Sequence, residues 1–161
     1  MAPSLNPSFS NAAPLDFAHI TVVEETPKSE HTSHTGACHC GTVKFNVTLK
    51  CPFPKYPVNA CSCSACTRNG YLFVYPKRSD FEITQGYENL TSYTFNTCTR
   101  SHKFCKTCGS SMLIDFQLAE QGETDPRKDI LALNVRNFKD IDLDTLQYTY
   151  YDGKRLIPSN E

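Results

Sequence analysis

Seven of the nine cysteines fall into three tight groups: Cys38-His39-Cys40, Cys61-Ser62-Cys63-Ser64-Ala65-Cys66 and Cys105-Lys106-Thr107-Cys108. Thiolates one or two residues apart chelate a soft ion side by side, a spacing typical of zinc sites and poorly suited to a disulfide framework. A zinc ion takes four protein ligands where its role is structural, and three with an open position where it is catalytic. Grouped ligands that divide as four plus three predict two ions with different roles.

Cys40-Gly41 and Cys108-Gly109 close the first and last groups. Glycine there permits the positive φ of a tight turn that aims backbone amides at the sulfurs. Both read as zinc knuckles, and Cys38, Cys40, Cys105 and Cys108 pair as one closed structural site. Cys61, Cys63 and Cys66 then hold the second ion, with water, a substrate thiol or another side chain in the fourth place. A thiolate from Cys51 or Cys98 would instead close that site and make it a second structural zinc. Ligand counting leaves both arrangements open.

Composition narrows the rest. A chain of 161 residues with 39% hydrophobic and 20% charged content buries one compact core. The net charge of -1, without a long Lys/Arg run, provides no footprint for nucleic acid or an anionic membrane surface. No apolar stretch approaches the roughly 20 residues of a bilayer span, and the first residues lack a basic flank followed by an apolar run. The expected location is therefore cytoplasmic, where thiols stay reduced and available to metal.

The elements that must position these ligands are short. Residues 1–35 read as a flexible tail rich in Pro, Ser, Thr and acids, with an apolar interlude at 15–23 that adds an edge strand or drapes as an arm. Residues 36–158 read as one mainly β domain. Strands are predicted at 42–49, 71–75, 81–83, 91–95, 112–116, 130–135 and 146–151, and short helical turns at 64–69 and 140–145. Alternation places Val43, Phe45, Val47 and Leu49 on one face, and Tyr71, Phe73 and Tyr75 on another. Residues 117–128 read as a polar loop, and Asp152-Gly153 as a turn signal.

Together, Cys38-His39-Cys40-Gly41, the Cys61-x-Cys63-x-x-Cys66 run with Arg68 behind it, Gly86, and Phe104-Cys105-x-x-Cys108-Gly109-Ser110-Ser111 resemble the glutathione-dependent formaldehyde-activating enzyme family, which includes centromere protein V. The resemblance is close over residues 36–116 and loose from there to 158. It implies a compact zinc-stabilised fold of twisted antiparallel sheets, like that of a small zinc chaperone of Rab proteins. It also implies two Zn2+ ions: the outer four cysteines as the structural site, and Cys61, Cys63 and Cys66 as the catalytic or labile one. The implied activity is carbon–sulfur lyase chemistry, in which glutathione condenses with formaldehyde to S-hydroxymethylglutathione or the adduct is split. Three thiolates leave a formal charge of -1 on a divalent ion and blunt its Lewis acidity, which favours sulfur exchange over activation of water.

Individual residues carry two readings each. His39, His102, Tyr71 and Tyr75 are candidates for proton transfer, or else surface, core and sheet residues. Arg68 offers a planar fork to a substrate carboxylate, or serves as a solvated or ion-paired loop residue. Residues 134–138 lack the tryptophan common in bacterial members, and Tyr71, Phe73, Tyr75 and Tyr93 suit either a bulkier thioether or carbonyl substrate or a plain core. Three classes of function follow: an enzyme acting on a glutathione or related thiol conjugate, a scaffold of the centromere protein V type, and a zinc or glutathione carrier. A centromere-type protein is expected to carry a basic extension, whereas this tail contains Glu24, Glu25 and Glu30.

Overall fold

The computed structural model describes residues 25–156 apart from Thr97. In chain order the elements are β1 (Thr32–Ala37), β2 (Lys44–Leu49), β3 (Val58–Cys61), α1 (Ser64–Asn69), β4 (Phe73–Val74), β5 (Phe81–Gln85), β6 (Leu90–Tyr93), β7 (Ser101–Cys105), β8 (Ser111–Asp115), β9 (Leu131–Asn134), β10 (Tyr148–Tyr151) and α2 (Gly153–Leu156). Strands β1, β2 and β5 form a three-stranded antiparallel sheet in that order. The other seven form a second sheet in the order β10-β3-β4-β9-β8-β7-β6. The protein is thus mainly β, and its one parallel pair among the described residues is β10 with β3.

Period-two alternation gives the larger sheet two buried faces. Along 71–74, Leu72 and Val74 enter the core shared with the small sheet, while Tyr71 and Phe73 enter a second cluster on the opposite face. Strand β9 does the same, sending Leu131 and Leu133 one way and Ala132 the other. Val43, Phe45, Val47 and Leu49 all lie in the first core, on the face predicted for them. The second cluster contains Cys63 and Cys66 among aromatic residues, with Cys61 packed against it. The larger sheet therefore supports the three-cysteine group on its own apolar face.

Several elements differ from expectation. The run 71–75 shortens to a two-residue strand, because its only ladder partners are Asn59 on one side and Leu133 and Asn134 on the other. The turn predicted at 140–145 narrows to a 3-10 turn over Leu143–Thr145. Asp152-Gly153 makes no hairpin: β10 pairs in parallel with a strand far back in the sequence, and the chain continues directly into α2. Strands β1, β3 and β7 have no counterpart among the predicted runs, and β1 crosses the tail boundary expected at residue 35. The interlude at 15–23 lies outside the described residues. Among those residues no helix is long and apolar enough to cross a membrane.

Candidate functional site

Folding gathers the seven cysteines into two groups, and within each all sulfurs lie within 4.8 Å of one another. The first unites Cys38, Cys40, Cys105 and Cys108; the second unites Cys61, Cys63 and Cys66. Cys51 and Cys98 join neither. Cys51 is buried in the main core, and Cys98 is an exposed loop residue whose sulfur lies 3.8 Å from the Asn96 carbonyl oxygen.

Two knuckles build the four-cysteine group. Gly41 and Gly109 adopt φ of 77° and 75°, the left-handed conformation that their sequence position predicted. The Gly41 amide bonds the Cys38 carbonyl at 3.0 Å, and the Gly109 amide bonds the Cys105 carbonyl at 2.8 Å. Sulfur separations are 3.5 Å for Cys38–Cys40 and 3.8 Å for Cys40–Cys105. Polar groups surround them: the Val43 amide donates to the Cys38 sulfur at 3.2 Å, the Asn89 side-chain amide donates to the Cys105 sulfur at 3.2 Å, and the Ser110 hydroxyl sits 3.2 Å from the Cys108 sulfur. Donors aimed at sulfur stabilise thiolate, which a soft divalent ion requires. Asn89 carried no sequence signal, since its role depends on β6 running beside β7.

The three-cysteine group forms where β3 ends and α1 begins. Cys61 is the last residue of β3, Cys63 is the N-cap of α1, and Cys66 lies in its first turn. The Cys66 amide donates to the Cys63 sulfur at 3.5 Å, so the two-residue gap is a helix cap as well as a chelating spacing. The Cys63 amide lies 3.5 Å from the Cys61 sulfur.

These thiols do not titrate alike. Hydrogen bonds from the Cys61 and Cys66 thiols draw Cys63 down to about 2. The contact with Cys63 holds Cys61 up at about 11 against an opposing pull from Cys66, and the contacts with Cys61 and Cys63 push Cys66 upward. In the other group burial raises Cys38 to about 11. Cys108 is brought down to about 5 against desolvation, by the Ser110 hydroxyl and neighbouring amides. Each group thus concentrates charge on some sulfurs while others keep protons, and an ion held there would have to displace those protons.

The remaining candidates are distributed unevenly. Tyr71 stacks on Phe73 at 4.7 Å between ring centroids, Tyr75 follows at 6.1 Å, and all three lie in the cluster that holds Cys63 and Cys66. Burial raises the Tyr71 hydroxyl to about 12 and pushes Tyr75 higher, so both remain donors at neutral pH. His102, buried on β7, sits 6.0 Å from Tyr71 and 5.0 Å from Phe95. Burial holds its imidazole below the ordinary range, and the charge on Cys63 opposes that shift. His39 is exposed on its knuckle, where its backbone amide bonds the Ser110 hydroxyl at 3.0 Å. Arg68 is exposed in the last turn of α1, two residues beyond Cys66, and Tyr93 lies 56% exposed at the far edge of the aromatic series.

Residues 33–133, which contain all seven grouped cysteines, match the sequence model of the glutathione-dependent formaldehyde-activating enzyme family. The chain belongs to that family. A curated relative from Halomonas elongata, provisionally named a glutathione-dependent formaldehyde-activating enzyme, is 32% identical over an 87-residue alignment that covers 49% of this chain. The aligned stretch spans about half of that relative, 54% of its length. The crystal structure of a Rhodobacter sphaeroides protein superimposes with a TM-score of 0.57 at 31% identity, covering 71% of this chain and 99% of the other. Both cysteine groups, which fall inside the matched stretch, have donor sets that could hold metal ions.

Proposed function

We propose that this protein is a zinc-dependent enzyme that makes or breaks a carbon–sulfur bond in an adduct of glutathione or a related thiol, as an S-hydroxymethylglutathione synthase does. The observation that carries this reading is the separation of seven cysteines into a four-sulfur group and a three-sulfur group on different parts of the fold. Cys38, Cys40, Cys105 and Cys108 complete a tetrahedral set and act as the structural site. Cys61, Cys63 and Cys66 would supply three ligands to a second zinc, a donor count that suits a site able to admit a substrate sulfur. Zinc held there by Cys61, Cys63 and Cys66 would supply Lewis-acid chemistry, lowering the pKa of a thiol and polarising a carbonyl.

The bond changes balance without an external oxidant or reductant. The thiol sulfur forms a bond to the carbonyl carbon, the C=O π pair moves to oxygen, and oxygen gains the proton that sulfur lost; the reverse direction splits the adduct. The chain contributes an apolar wall of Tyr71, Phe73 and Tyr75 that excludes water, and a neutral imidazole at His102 able to carry a proton. Arg68, exposed beside the group, is the candidate partner for a carboxylate of the thiol substrate.

The decisive experiment incubates the zinc-loaded protein with glutathione and formaldehyde, and in parallel with bulkier aldehydes, following adduct mass and the rate of thiol–aldehyde exchange. Acceleration over the uncatalysed reaction, lost in Cys63→Ser, is the expected result. No acceleration and no thiol binding would reject the enzyme and favour a scaffold.

A further inference from the structure

The segment after β10 lies beyond residues 33–133, the stretch that matches the family model, and contacts the loop that holds Cys61 and Cys63. Tyr151 of β10 registers in parallel against Cys61, and its carbonyl accepts from the Ser62 amide at 3.0 Å. The Ser62 hydroxyl donates to the Asp152 carboxylate at 3.2 Å and accepts from the Lys154 amide at 3.1 Å. Asp152, only 9% exposed, also pairs with Arg155. Ser62 stands between two of the three grouped cysteines, so the loop that presents Cys61 and Cys63 is fastened at its midpoint.

Gly153 brings this strap into direct contact with the sulfurs. A Cβ at residue 153 would sit 2.4 Å from the Cys61 sulfur, 2.9 Å from the Cys63 Cβ and 3.2 Å from the Cys63 amide nitrogen. Such distances lie well inside van der Waals contact, and two of the three blocking atoms belong to Cys63, whose position is fixed as the cap of α1. A side chain at 153 would therefore displace either the strap or the Cys61 sulfur.

We infer that Asp152 and Gly153 are positioning residues of the three-cysteine group: the strap locks Cys61 and Cys63 in the arrangement that holds the second ion, and the group is incomplete without it. This rests on the reading of Cys61, Cys63 and Cys66 as metal ligands. The strap acts selectively, because its hydrogen bonds and its close approach fall on residues 61–63 and not on the four-cysteine group.

Cobalt(II) titration of the full chain tests this, reading the thiolate charge-transfer band and d–d spectrum and competing each ion away with a chromophoric chelator. Wild type is expected to take up two ions of distinct affinity. Gly153→Ala should keep the first with its spectrum unchanged and bind the second about 10- to 100-fold more weakly with an altered band, the range typical when groups supporting a ligand are lost. Asp152→Ala and Ser62→Ala add no bulk and should each weaken the second ion, with the double variant weakening it by less than the two effects combined, because both single changes remove the shared Ser62–Asp152 bond. Second-site affinity and spectrum unchanged in all three variants, with wild type binding two ions, would overturn the strap alone. One ion in wild type would overturn the metal reading of the three-cysteine group and the strap with it.

Discussion

Cys63 serves the backbone and the candidate metal site with the same sulfur. It accepts the Cys66 amide as the cap of α1 and lies within 4.8 Å of the Cys61 and Cys66 sulfurs. A serine there keeps an N-cap acceptor while removing a soft ligand, which makes Cys63→Ser a clean probe of metal binding. His102 presents a different residue-scale problem. Its imidazole lies among Tyr71, Tyr93 and Phe95, and burial disfavours the charged form. A histidine whose folded pKa lies below 6.5 contributes stability in full above that pH, and loses it as pH falls through the folded value. Imidazole NMR should therefore place the His102 midpoint below 6.5, leaving a neutral ring available for proton transfer at pH 7. A midpoint at or above that value would remove both the burial argument and its candidacy as a base.

At the scale of elements, the larger sheet depends on one buried side chain at the end of β9. Asn134, 3% exposed, accepts from the Leu72 amide at 3.3 Å and from the Arg136 amide at 3.3 Å, and donates to the Ser111 carbonyl at 2.9 Å. It thereby ties the approach to β4 and the start of β8 to β9, where the two-residue β4 has little ladder of its own. Asn134→Ala would strand a buried backbone donor and should cost about 1–3 kcal/mol, seen as a lowered midpoint in urea unfolding of the metal-loaded protein. An unchanged midpoint would mean that water replaces the side chain. The elements also show why only part of the fold was legible. Strand β2 alternates cleanly and α1 carries its cap, so local pattern sufficed for both. Strand β7 buries Ser101 and His102, and β3 buries Asn59, which reverses the polarity that a period-two reading depends on. Strand β1 contains Ser, Thr, His and Gly and becomes a strand through its six-residue register with β2.

For the whole molecule, the two cysteine groups occupy unequal mechanical positions. The four-cysteine group joins the turn after β1 to the end of β7, and so fastens the small sheet to the large one. Structural zinc contributes about 10 kcal/mol or more to folding in small domains. Cys105→Ser should therefore cause broad loss of structure by circular dichroism and rapid proteolysis, while Cys63→Ser remains folded. Equal loss in both would end the proposed division into structural and reactive ions. Residue type and spacing made both groups legible from sequence, because the cysteines cluster locally at Cys38–Cys40, Cys61–Cys66 and Cys105–Cys108. The Ser62–Asp152 bond was not legible, since it joins residues 90 apart through a parallel pair that no local pattern announces.

That same parallel pair sets an order of assembly. As the polypeptide emerges from the ribosome, the clamp at Cys105 and Cys108 can close before the edge strand β10 exists, whereas the rim of the tripod waits for Gly153 to dock. Under the proposed two-ion arrangement, a nascent chain would acquire its architectural ion first and its reactive one last.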